Sequence, residues 1–185
     1  MRAQYKEVFL VVRCKYQGDT YTRCLFIWVD KDFAMLRGIF QGYPKRLGSI
    51  HLTRPATVGL GGPRLKFGGK FGATLAVNDR RIAEGIFNIT GESDHNGFVN
   101  GHPMLHSRQM PTIEIDGSDA LNELIAASGS EVDIGATFTG DFDLSYIESP
   151  NEELHLLPVR EKIGAYWRDI GLTWKVGRTI TRDNL

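Results

Sequence analysis

The chain has 185 residues, 42% of them hydrophobic, enough to bury one sizeable core and too few for two domains of ordinary size. Its 22 basic residues balance 22 acidic ones, so no net field draws the molecule to a nucleic acid or to an anionic membrane surface. These figures set the expectation of one domain, with neither nucleic acid nor membrane as a partner.

The opening MRAQYKEVFLVV contains an apolar run too short to span a bilayer, and it lacks the small-residue cleavage site of a secretory leader. A cytoplasmic protein is expected. Residues Glu7–Tyr16 and Thr22–Val29 are rich in Val, Ile, Phe, Leu and Trp and flank the polar Gln17-Gly18-Asp19, which predicts a β-hairpin. With Gly18-Asp19 as its turn, Cys14 lies opposite Arg23 and not opposite Cys24. The two cysteines also lack CxxC spacing, so buried thiols are expected and a disulfide is not.

Gly59–Gly72, GLGGPRLKFGGKFG, is glycine-rich without being a phosphate cradle. A P-loop needs glycine and Ser or Thr where Arg64 and Phe71 stand, and a dinucleotide loop needs a third glycine where Arg64 stands. It reads as a connection between strands. A second hairpin follows, Gly72–Val77 and Ile82–Thr90 around Asn78-Asp79. The segment SDHNGFVNGHPMLH offers Asp94, His95, His102 and His106. Their spacing matches no standard ligand pattern, and the Asn-Gly pairs mark a turn-rich loop, so no metal and no cofactor is expected. No GxSxG elbow occurs.

Leu121, Leu124 and Ile125, between Ser118 and Gly129, predict a short helix from about Asp119 to Ser128. Val132 to Phe138 and Phe142 to Tyr146 alternate apolar and polar residues on either side of Gly140, which predicts strands with one wet face. Val159, Ile163, Tyr166, Trp167 and Ile170 predict a second helix from Pro158 to Gly171, before a final strand Leu172–Ile180. Trp28, Trp167 and Trp174 are expected in the core or at an interface. Together these elements predict an α+β domain of mainly antiparallel strands, curled or closed into a barrel, with two short helices.

Within GIFQGYPKRLGSI, Gly38–Ile50, Lys45 follows a proline in an apolar, glycine-studded segment. Pro44 has a fixed φ and pushes Tyr43 toward extended geometry, so the lysine leaves a stiff stretch of chain. Two readings fit: a solvated lysine after a turn, or an amine that attacks carbonyls. An attacking amine must be neutral, and at the ordinary value of about 10.4 only roughly one lysine in two thousand is neutral at pH 7. Burial among Ile39, Phe40, Tyr43, Leu47 and Ile50 and repulsion from Arg46 are the available causes. At about 7 Å and a dielectric of about 20, Arg46 supplies about 2.4 kcal/mol, less than burial can. If the segment is extended, Lys45 and Arg46 face opposite ways.

GYPKRLG resembles the lysine-bearing segment of the acetoacetate decarboxylase family, a Pro-Lys-Lys-Leu-Gly-like run in which Lys45 matches the reactive lysine. YKE at Tyr5–Glu7, GDTYTRCLFIWVDKDFAM and LHLLPVREKI extend the resemblance over nearly the whole chain. It implies a lyase whose Lys45 forms an imine with a small keto acid, Glu7 as acid/base and Arg46 as a carboxylate-binding or electrostatic helper. It implies no cofactor and a homo-oligomer. Decarboxylation of acetoacetate or a related β-keto acid is the first expectation. A pyruvate aldolase-dehydratase using the same lysine and a barrel that only binds small molecules are the alternatives. Three departures stand beside the likeness. Arg46 replaces the second lysine, Gly38-Ile39-Phe40 replaces a Gly-Arg-Glu run, and the chain is expected to lack the family's N-terminal portion.

Overall fold

The structure, a computed structural model, describes residues 4–95, 97, 101–174 and 177–182, without the side chains of residues 131, 172 and 174. The expected turns at Asn96 and Asn100 and the side chain of Trp174 therefore lie outside the described residues. The chain folds as two compact units, residues 1–47, 99–132 and 172–185 in one, and 48–98 and 133–171 in the other.

In the first unit, β1 (Glu7–Tyr16) and β2 (Asp19–Val29) form the predicted hairpin. Its turn is Gln17-Gly18, with both residues at positive φ, as a two-residue hairpin turn requires. The turn lies one residue earlier than expected and the pairing is thereby shifted by two: Cys14 pairs with Tyr21 and not Arg23, Cys24 pairs with Val11, and both thiols are free. The pairing passes from Leu10–Phe26 to Val11–Cys24, leaving Leu25 as a bulge. That extra residue keeps Cys24 and Ile27, three apart, on one face of β2.

Helix α1 (Asp32–Gln41) follows, in a stretch where the sequence predicts none. Asp32 stands in its first turn, and Gly42 ends it in the left-handed conformation, φ 76°, two residues before Pro44. The burial explains why the pattern is hard to read. Ala34 and Gly38 face inward while Phe33, Leu36, Ile39 and Phe40 are exposed, the reverse of an ordinary amphipathic stripe. β3 (Lys45–Leu47) then runs parallel to β2, with Lys45 beside Ile27 and Arg46 beside Trp28.

β7 (Met104–Pro111) meets β2 at Thr22 and pairs antiparallel with β8 (Asp119–Ala127), which pairs with β11 (Arg178–Arg182). The helix predicted from Asp119 is thus a strand. Leucines and alanines favour a helix locally, but ladders on both sides override that preference. Glu123 breaks the alternation because it is buried between arginines, accepting from Arg108 at 2.9 Å and from Arg182 Nε at 2.6 Å. Burial alone would raise its pKa; the two guanidinium groups outweigh that and hold it below the ordinary carboxylate value.

The second unit is built on a sheet in the order β10-β9-β6-β5-β4. β4 is Ser49–Leu52, and β5 (Lys70–Val77) and β6 (Arg80–Glu92) are the second predicted hairpin. β9 runs unbroken from Gly129 to Tyr146. Gly140, expected to separate two strands, lies within it: a Cβ there would stand 2.0 Å from the Asn88 carbonyl oxygen, so glycine serves close strand approach and not a turn. Residues 158–164 form no helix, and Tyr166, Trp167 and Ile170 belong to β10 (Ala165–Trp174). A short 3-10 turn, Leu154–Leu156, is the second helical element among the described residues. Trp167 packs on Phe71 beside Ile89 and Phe138, while Trp28 is buried in the first unit. No described helix is long and apolar enough to cross a membrane.

Candidate active site

The site lies wholly within the first unit. Along β1, Glu7, Phe9 and Val11 share a face and pair with Val29, Ile27 and Cys24 of β2. β7 reaches the far edge of β2 at Thr22 and β3 reaches it at Ile27–Val29. The pocket opens between these two contacts, with Met104 at the β7 end and Lys45 at the β3 end. Helix α1 packs against β2, β3 and β7 and turns Arg37 and Gln41, one turn apart, into the pocket.

Lys45 is aimed by its neighbours. Its N–H bonds the Tyr43 carbonyl at 2.8 Å across Pro44, a three-residue turn that fixes where the strand begins. Its stem runs over Gly38, where a Cβ would lie 2.4 Å from Lys45 Cδ and 2.5 Å from Cγ. The side chain is only 7% exposed, yet its amine stands 3.4 Å from the Glu7 carboxylate, itself 31% exposed. The rings of Tyr5 and Tyr43 flank the amine at 5.4 and 5.6 Å.

Lys45 and Glu7 are therefore brought together as the sequence reading requires, and Arg46 is not with them. Arg46 is exposed on the opposite face of β3, as extended geometry dictates, and does not line the pocket. The cation in the pocket is Arg37. The expected apolar wall is also different: of Ile39, Phe40, Tyr43, Leu47 and Ile50, Tyr43 lines the pocket and the others do not. The walls come from Phe9, Val11, Cys24, Ile27 and Met104 instead.

The pocket's other titratable groups are held in their protonated, uncharged forms. Burial, then the Glu7 charge and a hydrogen bond to it, raise the Tyr5 pKa. Burial raises Tyr43 further, with Cys24 and Glu7 adding to it. Burial and Glu7 push the Cys24 thiol up to about 12. Behind Tyr43 stands His106, placed by the sequence in a turn-rich loop and here buried in β7, with ring centroids 4.0 Å apart. Burial, helped by the Arg23 charge, lowers its pKa to about 4, so the ring is neutral at physiological pH. Sequence reasoning missed Arg37, Gln41 and Gly38 as residues of this site, and it weighed His106 only as a metal ligand. Gly38 was readable in principle, since an apparent helix glycine with small Ala34 one turn before it marks close packing. Among the described residues no group of three His, Cys, Asp or Glu side chains is placed to hold a metal ion.

A buried amine paired with a carboxylate, flanked by hydroxyl donors and a guanidinium, defines a site equipped for carbonyl chemistry. The chain belongs to the acetoacetate decarboxylase family, whose model, described as acetoacetate decarboxylase (ADC), matches residues 1–183. The enduracididine biosynthesis enzyme MppR, solved in complex with pyruvate, is 30% identical with a TM-score of 0.87, over 97% of this chain and 68% of that one. An acetoacetate decarboxylase-like enzyme from Sphingomonas wittichii RW1 is 22% identical with a TM-score of 0.86, over 96% and 68%. Acetoacetate decarboxylase from Legionella pneumophila is 16% identical with a TM-score of 0.74, over 96% and 67%. The chain thus spans about two thirds of the length of these proteins. No curated protein sequence matches it. The mainly antiparallel α+β fold with a curled sheet is the acetoacetate decarboxylase-like fold.

Proposed function

We propose that this protein is an imine-forming lyase acting on a small keto acid through Lys45. One observation carries the reading: the Lys45 side chain, only 7% exposed, ends beside the Glu7 carboxylate in a pocket whose other charged group is Arg37. Glu7 takes a proton from the amine, which attacks the keto carbon. The carbinolamine loses water, and the protonated imine then serves as an electron sink. Tyr5 and Tyr43, both protonated, donate toward the carbonyl oxygen as charge develops on it. The carboxylate-holding role expected of Arg46 passes to Arg37, with Gln41 beside it.

The favoured substrate is a 2-oxo acid of the pyruvate type. The relative solved with pyruvate, at 30% identity, supports this over the decarboxylases, which stand at 16% and 20%. The pyruvate imine gives a methyl proton to Glu7 and becomes an enamine, and the enamine carbon attacks an aldehyde. Loss of water from the adduct and hydrolysis of the imine release an unsaturated 2-oxo acid and return the free lysine. The family's description supports a second reading. There the imine of a β-keto acid accepts the electrons of the departing carbon dioxide, and the enamine is protonated and hydrolysed.

Borohydride reduction in the presence of pyruvate, and separately of acetoacetate, followed by peptide mapping, tests the reading. A single adduct on Lys45 is expected, absent in Lys45→Arg. Adducts on Lys66 or Lys70 instead, or none, would refute it. Carbon dioxide release from acetoacetate above background favours the second reading; an unsaturated product from pyruvate plus an aldehyde favours the first.

A further inference from the structure

Helix α1 presents its apolar side to water. Its polar residues Arg37 and Gln41 face the pocket, and its small residues Ala34 and Gly38 are buried. The outer side consists of Phe33, Leu36, Ile39 and Phe40, which are 39%, 53%, 49% and 66% exposed. At about 100° per residue these four fall in one arc of about 120° around Leu36, with no charge among them. Exposed apolar side chains scattered singly are ordinary, whereas a contiguous set marks a contact surface. Taking about 200 Å² for each whole residue, the four leave about 400 Å² in water. Phe33 carries this face to the edge of the site. Its ring packs edge-on against Tyr5 at 5.7 Å, and Tyr5, 37% exposed, flanks the Lys45 amine.

Spacing, area and charge say what covers the face. Phe33 stands three residues before Leu36 and Phe40 four after it, so the set is its own complement. About a two-fold axis crossing antiparallel helices between Leu36 and Arg37, Phe33 meets the partner's Phe40, and Leu36 lies beside the partner's Leu36 at the axis. Two copies of the face, with Tyr5 at its edge, remove about 1,000 Å² from water, the size at which a specific interface begins. A lipid surface fits poorly, because a helix lying on one keeps a basic polar face toward water, and the polar side of α1 is turned into the pocket.

We infer that α1 is the contact between two copies of this chain, packed helix against helix and antiparallel about a two-fold axis. The partner's Phe40, seated on Phe33, also shields Tyr5, so each copy completes the rim of the other's pocket. An interface of this area without charge pairs associates weakly, with a dissociation constant on the order of micromolar. The inference goes beyond the imine reading, and its test needs no substrate.

Sedimentation velocity between about 0.1 and 100 µM is the test. Twice the mass of the chain is expected at the upper end, falling toward the monomer on dilution. Leu36→Glu and Phe40→Glu, both at exposed positions, should each halve the mass at about 100 µM while the urea midpoint stays that of a folded protein. Phe67→Glu, at a 78% exposed position of the other unit, should leave the mass unchanged. The double variant Phe33→Lys/Phe40→Glu sets the new positive charge of one copy against the new negative charge of the other. It should associate at least about fivefold more tightly than Phe40→Glu alone. A wild-type monomer at about 100 µM overturns the inference, and its binding to phosphatidylglycerol vesicles would assign the face to lipid instead. Folded α1 variants that keep the wild-type mass, or a Phe67→Glu variant that loses it, overturn the placement on α1. A double variant no tighter than Phe40→Glu overturns the antiparallel register. An assembly larger than a dimer fits only if the α1 variants halve its copy number.

Discussion

Gly38→Ala separates a glycine that serves the helix from one that serves the lysine. In an exposed helix interior the change ordinarily stabilises by about 1 kcal/mol, because alanine loses less backbone freedom on folding. Here the new Cβ would stand 2.4 Å from Lys45 Cδ, 2.5 Å from Cγ and 3.0 Å from Cβ, against an ordinary carbon–carbon contact of about 3.5–4.0 Å. The obstructed atoms are the middle of the stem, so swinging its far end aside does not relieve them. The stem must move by about 1 Å or more, and overpacking of this kind costs about 1–3 kcal/mol. The two effects leave the fold destabilised by at most about 2 kcal/mol. A displacement of about 1 Å at the reacting atom, by contrast, costs about a hundredfold in rate. The assay is the rate of borohydride-trapped adduct at Lys45, read beside the urea midpoint of the same preparation. Trapping slowed by about a hundredfold in a protein that still unfolds cooperatively is the expected result. A more stable protein that traps at the wild-type rate would refute the reasoning, since Lys45 would then have another place to lie.

Glu7→Gln keeps the shape of the pocket and removes the base, so turnover should fall by about 10²–10⁴ while slow trapping of the adduct at Lys45 persists; turnover within threefold of wild type would remove Glu7 from the mechanism. His106, 2% exposed, resists protonation down to about pH 4, whereas the unfolded ring takes its proton near 6.5. Unfolding therefore binds an extra proton between those values, and stability should fall by about 2–3 kcal/mol as the pH drops from 7 to 4.5. Urea midpoints of wild type and His106→Phe at the two pH values check this, the variant losing correspondingly less; equal losses would show that the ring does not set the acid sensitivity.

The sequence by itself determined both hairpins, the strands of residues 132–146 and the stiff segment that carries Lys45. Hairpin turns depend on residues adjacent in the chain: Gln17-Gly18 and Asn78-Asp79 take positive φ locally, and the alternating strands beside them pair by proximity. The stiff approach to Lys45 is equally local, since Pro44 constrains both its own backbone and that of Tyr43, and the opposite facing of Lys45 and Arg46 follows from extended geometry alone. Tertiary structure alone decided that Asp119–Ala127 is a strand, because its buried Glu123 depends on arginines from the two flanking strands. It also decided which groups surround the amine. Glu7 lies 38 residues from Lys45, and Arg37 reaches the pocket from a helix whose inward face is made of Ala34 and Gly38. Small residues leave no periodic apolar signal, yet they let a helix approach closely enough to hold a lysine stem in place. The pocket likewise lies where β3 and β7 meet β2 at separate points, a gap between strand contacts that no local pattern of residues encodes.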